Sequence, residues 1–181
     1  MQTRRIVTGH DHAGKAVFTD IGTTSGLITF DGMPGLEYHE VWATDGVPVV
    51  PVSDDPAANI THFLPPPGGT RIRVIRMPSD DEIAASGADA AAFSEDYAAR
   101  IPDLSATMER GARGMHTTDS IDYGIVLSGR VALELDDGAV EELGPGDVVV
   151  QTGTRHRWQA LGPDPVWMCF VLVGATRKSS E

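Results

Sequence analysis

Apolar residues fall in short runs closed by Gly, Pro or Asp, with one interruption where alanines dominate, and this rhythm predicts strands far more than helices. Ile6-Val7, Ala16-Val17-Phe18-Thr19, Leu27-Ile28-Thr29-Phe30 and Tyr38-His39-Glu40-Val41-Trp42 read as early strands at a sheet edge. The Pro- and Asp-rich stretch from Pro48 to Pro67 ends in Pro65-Pro66-Pro67-Gly68-Gly69, which cannot continue a strand and reads as an exposed turn. From Thr70 to Met77 polar and apolar residues alternate through Arg71-Ile72-Arg73-Val74, the period of a strand. Later runs, Ile125 to Leu127, Arg130 to Leu135, Asp147 to Gln151, Arg155 to Ala160 and Val166 to Val173, are β throughout. Turns at Asp136-Asp137-Gly138, Gly144-Pro145-Gly146 and Gly162-Pro163-Asp164-Pro165 separate most of them.

The interruption is Ser79 to Asp103. Ser79 can cap Asp80-Asp81-Glu82-Ile83, Gly87 breaks the alanine-rich run and Pro102 closes it, so one or two short helices or a lid are expected there. Closely spaced strands joined by tight turns predict an all-β sandwich or jelly roll, not βαβ units, and no internal repeat doubles it.

A chain of 181 residues holds one well-buried domain. Within it, residues 1–69 read as an N-terminal extension packing on or swapping with a barrel of residues 70–181, whose helical insert is 79–103. A net charge of −12 repels phosphate backbones and anionic membranes, so neither nucleic acid nor a membrane surface is an expected partner. Arg71 and Arg73, on one face of their strand, could offset that acidic field locally. No apolar run approaches the length of a membrane span, and the first residues lack the apolar core of a secretory signal, so a cytoplasmic location is the default expectation. The single cysteine, Cys169, lies in an apolar run and reads as an inert buried thiol.

The chemistry concentrates in the last third. Gly114-Met115-His116-Thr117-Thr118-Asp119-Ser120-Ile121-Asp122 leads to Gly129, and Gly146-Asp147 leads to Gly153-Thr154-Arg155-His156. On strands, His116 shares a face with Thr118 and His156 with Trp158, and a tight turn at Thr118-Asp119-Ser120 would aim Asp122 at the same space. These residues resemble the two motifs of the cupin family: a glycine, a His-x-His pair, a following Glu and a closing glycine, then Gly-Asp, Pro-x-Gly and a last His. His116, Gly129, Gly146-Asp147, Gly153 and His156 match. Thr118 stands where the second histidine would be, Asp122 where the Glu would be, and Gln151 where the family usually has proline.

The resemblance covers about residues 110 to 174 and implies a jelly-roll β-barrel with extension strands, a short helical insert and an interior pocket. It further implies that His116, Asp122 and His156 are the remnant of a four-ligand set, able to hold one divalent ion (Fe, Mn, Ni or Zn). The same three residues can equally be the acid and base of a site with no cofactor. Thr118, Trp158, Phe170 and Met168 are the expected substrate-contacting residues. The function expected is a small-molecule-metabolising enzyme, metal-dependent or else a metal-free isomerase, cyclase or dehydratase. A non-catalytic binder of a small molecule is the alternative class. Open sheet edges in the extension, and the resemblance itself, also imply a homodimer. Of the other histidines, His10 and His12 read as a polar hairpin turn, His39 as a strand residue completing a hydrogen bond, and His62 as a loop residue.

Overall fold

The structure, a computed structural model, describes residues 3–24, 26–52 and 54–178. Eleven strands and three α-helices are found among them. Strands β1 (Arg4–His10) and β2 (Ala16–Thr23) form a separate two-stranded hairpin, closed by a turn in which Asp11 accepts from the Ala13 and Lys15 amides. This is the polar turn expected around His10 and His12.

The main sheet has six strands in the order β3 (Gly26–Thr29), β4 (Glu37–Thr44), β5 (Thr70–Met77), β11 (Val166–Gly174), β6 (Ser120–Ser128), β9 (Val148–Thr152). A three-stranded sheet, β10 (Arg157–Leu161), β7 (Arg130–Glu134), β8 (Val140–Leu143), packs against it. Val126, Met168, Phe170 and Leu172 of the large sheet meet Val131, Leu143, Trp158 and Ala160 of the small one in a dry core. The result is a jelly roll, as expected, and its barrel is not closed.

Two strands of the N-terminal segment are built into the main sheet, since β4 pairs with β5 along its whole length and β3 pairs with β4. A second core cluster joins Phe30, Tyr38 and Phe63 from that segment to Tyr97, Ile101 and Leu104 from the insert. The insert is helical as its sequence predicts: α1 (Asp80–Ser86), α2 (Ala90–Arg100) and α3 (Pro102–Ser105). Ser79 caps α1 in a reciprocal capping box with Glu82, and Gly87 ends it in the left-handed conformation.

The strand at 70–77 forms as predicted, but its arginines face inward. Arg71 and Arg73 are buried on the face that continues to Ile75 and Met77, while Ile72 points outward. Each guanidinium has partners where it lies, although Arg73 Nε and Glu40 Oε1 meet as an ion pair and not as an aligned hydrogen bond. Arg71 donates to the carbonyls of His62, Thr44 and Thr70 and pairs with Asp45. Arg73 pairs with buried Glu40 at 2.9 Å, donates to the Phe63 carbonyl and stacks on the Phe63 ring.

Candidate functional site

His116 and His156 are brought together by the backbone. They sit opposite each other in an isolated antiparallel bridge and exchange both N–H to C=O bonds, each 2.9 Å. Residues paired this way project side chains to one face, and the two rings lie 4.2 Å apart between centroids. Each ring is anchored to its own strand: Nδ1 of His116 meets the Gly114 carbonyl and Nδ1 of His156 meets the Thr154 carbonyl, both at 2.9 Å. A carbonyl only accepts, so each Nδ1 carries the proton, which leaves Nε2 with the lone pair in the neutral ring. Gly153, whose φ of +69° L side chains rarely adopt, makes the turn that starts this arm.

Burial holds both imidazoles neutral. It depresses His116 below the usual histidine range. His156, 3% exposed, is pushed down to about 4 by burial and then by the neighbouring His116 ring. The same cavity holds a carboxyl. Asp122 on β6 lies directly across from Gln151 on β9, and both are buried. The Ser120 hydroxyl donates to Thr118 Oγ1 at 3.0 Å, and both hydroxyls stand by the Asp122 carboxyl and favour its charged form. Burial raises Asp122 above the usual carboxylate range, against the lowering effect of Ser120, Arg73 and Thr118.

These groups line one cavity of about 470 Å³, the size of a small-molecule site. His116, Thr118, Asp122, His156, Trp158 and Phe170 all stand on its wall. Met168 does not. It is fully buried between the sheets with Val126 and Val131, deeper along β11 than Phe170 and Leu172, and so packs the core without reaching the cavity. The divalent-ion expectation meets a geometric obstacle: among the described residues no three His, Cys, Asp or Glu side chains could hold a metal ion. Thr118 removes one imidazole, and Asp122 is one methylene shorter than the Glu whose place it takes. The donors present do not fit a resident metal.

Several lining residues lie outside the motif region. Tyr38, Phe63 and Arg73 come from the first part of the chain, and Phe93, Tyr97 and Leu104 from the insert, which roofs the cavity. Their signal in the sequence was weak, because nothing local distinguishes them from ordinary core residues. Gln151 carried a better one, as a departure from the usual proline on a strand whose neighbours Val148 and Val150 face outward.

The family model of the cupin domain matches residues 106–173. Phomopsin biosynthesis cluster protein C' of Diaporthe leptostromiformis is 32% identical over 178 residues, covering 98% of this chain and 80% of that protein. The chain belongs to the cupin family. The cupin-domain-containing oxidoreductase fogC of Aspergillus ruber is 28% identical over 174 residues, covering 93% of this cupin and 71% of the relative. A solved cupin domain, Schizosaccharomyces pombe Cnp3, overlays with a TM-score of 0.46 at 8% identity, covering 96% and 89% of the two chains. The other histidines of this cupin stay apart from the cavity wall: His39 bonds Glu37 at 2.8 Å beside Trp167, and exposed His62 lends only its carbonyl, to Arg71.

Proposed function

We propose that this cupin is a small-molecule enzyme of a biosynthetic route, in which the His116–His156 pair moves a proton on a bound carbonyl compound without a resident metal ion. The observation that carries this reading is the pair of facing neutral imidazoles, each fixed through Nδ1, on the wall of a largely apolar cavity. Relatives that belong to a biosynthesis cluster, or are named oxidoreductases, support small-molecule chemistry as the setting.

The chemistry follows from the two basicities. Rings this close do not both carry charge, and His156 is the harder to protonate, so a proton entering the pair settles on His116. Nε2 of His116 takes the proton from the carbon next to the carbonyl. The electron pair of that C–H bond becomes the double bond of an enolate. Returning the proton to the far end of the enolate gives an isomer; giving it to a departing hydroxyl gives water and the dehydrated product. Neither outcome needs an oxidant or reductant. His156 stays neutral and accepts a hydrogen bond from a substrate hydroxyl or from the new imidazolium.

The test uses chelator-treated protein in D2O with phenylacetone as probe, following loss of the α-proton signal by NMR. Wild type accelerates exchange with no added metal, and His116→Ala and His156→Ala each lose about 100-fold or more. Exchange that depends on an added divalent ion, or that survives both substitutions, contradicts the reading. Binding of the probe without any acceleration favours a binding module instead.

The working unit in this reading is a homodimer. Tyr123 pairs with Val150 and Ile125 with Val148 on the outer face of the main sheet, where Tyr123 is 41% and Val150 57% exposed. The β1–β2 hairpin exposes Ile6, Phe18 and Ile21. Two unpartnered apolar surfaces on one chain are matched by a two-fold exchange, the hairpin of one copy against the sheet of the other.

A further inference from the structure

Asp122 and Gln151 are each more than nine-tenths buried, stand directly opposite on neighbouring strands, and both line the cavity. Yet Asp122 Oδ1 and both polar atoms of the Gln151 amide have no hydrogen-bond partner in the protein. Folded proteins seldom leave buried polar atoms unpaired, because each gives up its bonds to water and receives nothing in return. Here three such atoms sit on two adjacent side chains in one wall. Much of the lining, Phe170, Leu172, Leu64 and Trp158 among it, is apolar, and the polar residues on the same cavity, Thr118, Arg73 and the two histidines, leave these three atoms unpaired. Asp122 and Gln151 do not resolve the deficit by bonding each other, even though they are cross-strand neighbours.

We infer that Asp122 and Gln151 form a specificity clamp that reads a carbonyl with a hydrogen-bond donor on the adjacent atom, as in a lactam or a hydroxy-ketone. A carboxamide presents a donor and an acceptor side by side, so its complement is an edge carrying an acceptor and a donor at the same spacing. Gln151 Nε2 donates to the ligand carbonyl, Gln151 Oε1 accepts from the adjacent N–H or O–H, and Asp122 Oδ1 accepts from a further donor on that edge. The body of the ligand is apolar and flat, to lie among Trp158, Phe170 and Phe63. The clamp also polarises the carbonyl whose neighbouring carbon loses its proton. The assignment therefore rests on the proton-transfer reading for its catalytic meaning, though its binding content stands without it.

Gln151 is a positioning residue in this scheme, and its test is made at equilibrium so that it does not depend on turnover. Calorimetry compares 2-quinolone, whose lactam edge has both groups, with N-methyl-2-quinolone, which lacks the donor, and naphthalene, which lacks both; tropolone serves as the hydroxy-ketone arm. Wild type is expected to bind 2-quinolone or tropolone at least ten-fold tighter than N-methyl-2-quinolone and naphthalene. Gln151→Met keeps side-chain volume but removes the amide, and is expected to erase that preference while the free protein melts at the same temperature or higher. Equal binding of all four probes by wild type overturns the inference. So does an unchanged preference in Gln151→Met, or a lowered melting temperature, which would mean the amide already has a protein partner. If the preference holds while phenylacetone exchange is not accelerated, the clamp stands and the proton-transfer reading falls. The reverse pair of results leaves the histidine pair active and removes the clamp.

Discussion

At the scale of single residues, the account turns on where protons sit. His156 has a folded value of about 4 against an ordinary 6.5, so the unfolded chain binds more protons between those two values. Stability contributed by this residue is therefore full above about pH 6.5 and is lost as pH falls towards 4. Asp122 has the opposite sign: its raised value makes a contribution that is present in acid and fades as pH rises through the folded value. Denaturant titrations between pH 4 and 7 are expected to show a less positive dependence of stability on pH in His156→Phe than in wild type, because no imidazole need then be kept neutral, while the opposing contribution of Asp122 is common to both. The histidine pair was legible in the sequence because the glycine turns and the spacing of His116 and His156 fix both residues in recognisable arms. Arg73 was half legible. Strand alternation put it on one face with Arg71, but that this face is the inner one depends on Glu40 and the Phe63 carbonyl, which lie at distant sequence positions and are united with it only by the sheet register.

At the scale of elements, the helical insert and the early strands build half of the cavity. Helix α2 lies on the turn after β3 so closely that a Cβ on Gly32 would stand 2.2 Å from the Phe93 amide nitrogen. Gly32→Ala is therefore expected to push the helix off its seat, costing about 1–3 kcal/mol in denaturant unfolding and weakening ligand binding through Phe93 and Tyr97. Ser79→Ala removes the capping box of α1 and is expected to cost about 1 kcal/mol by the same measurement. The insert's boundaries were legible from Ser79, Gly87 and Pro102, because caps and breakers act locally. Whether the insert covers the pocket stayed open between plain helices and a lid, since α2 exposes most of its residues and buries only Tyr97. The same limit applies to residues 1–69. Their strands were visible as runs, but β3 and β4 enter the main sheet through pairing with β5, which is a long-range event.

At the scale of the whole molecule, a buried polar wall faces a roof of aromatic rings, and the outer sheet surface is left apolar. Light scattering is expected to give twice the 19.3 kDa chain mass, and Val150→Lys on the exposed β9 face is expected to reduce it to one. A single chain mass for wild type would contradict the paired arrangement. The overall architecture is held by packing between sheets and does not depend on the histidines, so variants at the pair should fold while losing chemistry. The central claim concerns those two rings alone. Long-range 15N–1H NMR of the histidine side chains, titrated from neutral pH downward, addresses it most directly. At pH 7 both His116 and His156 are expected to be neutral with the proton on Nδ1, and His156 to remain so until about pH 4. An imidazolium at either position at pH 7, a proton on Nε2, or a metal-shifted Nε2 resonance in protein prepared without added ions would contradict it.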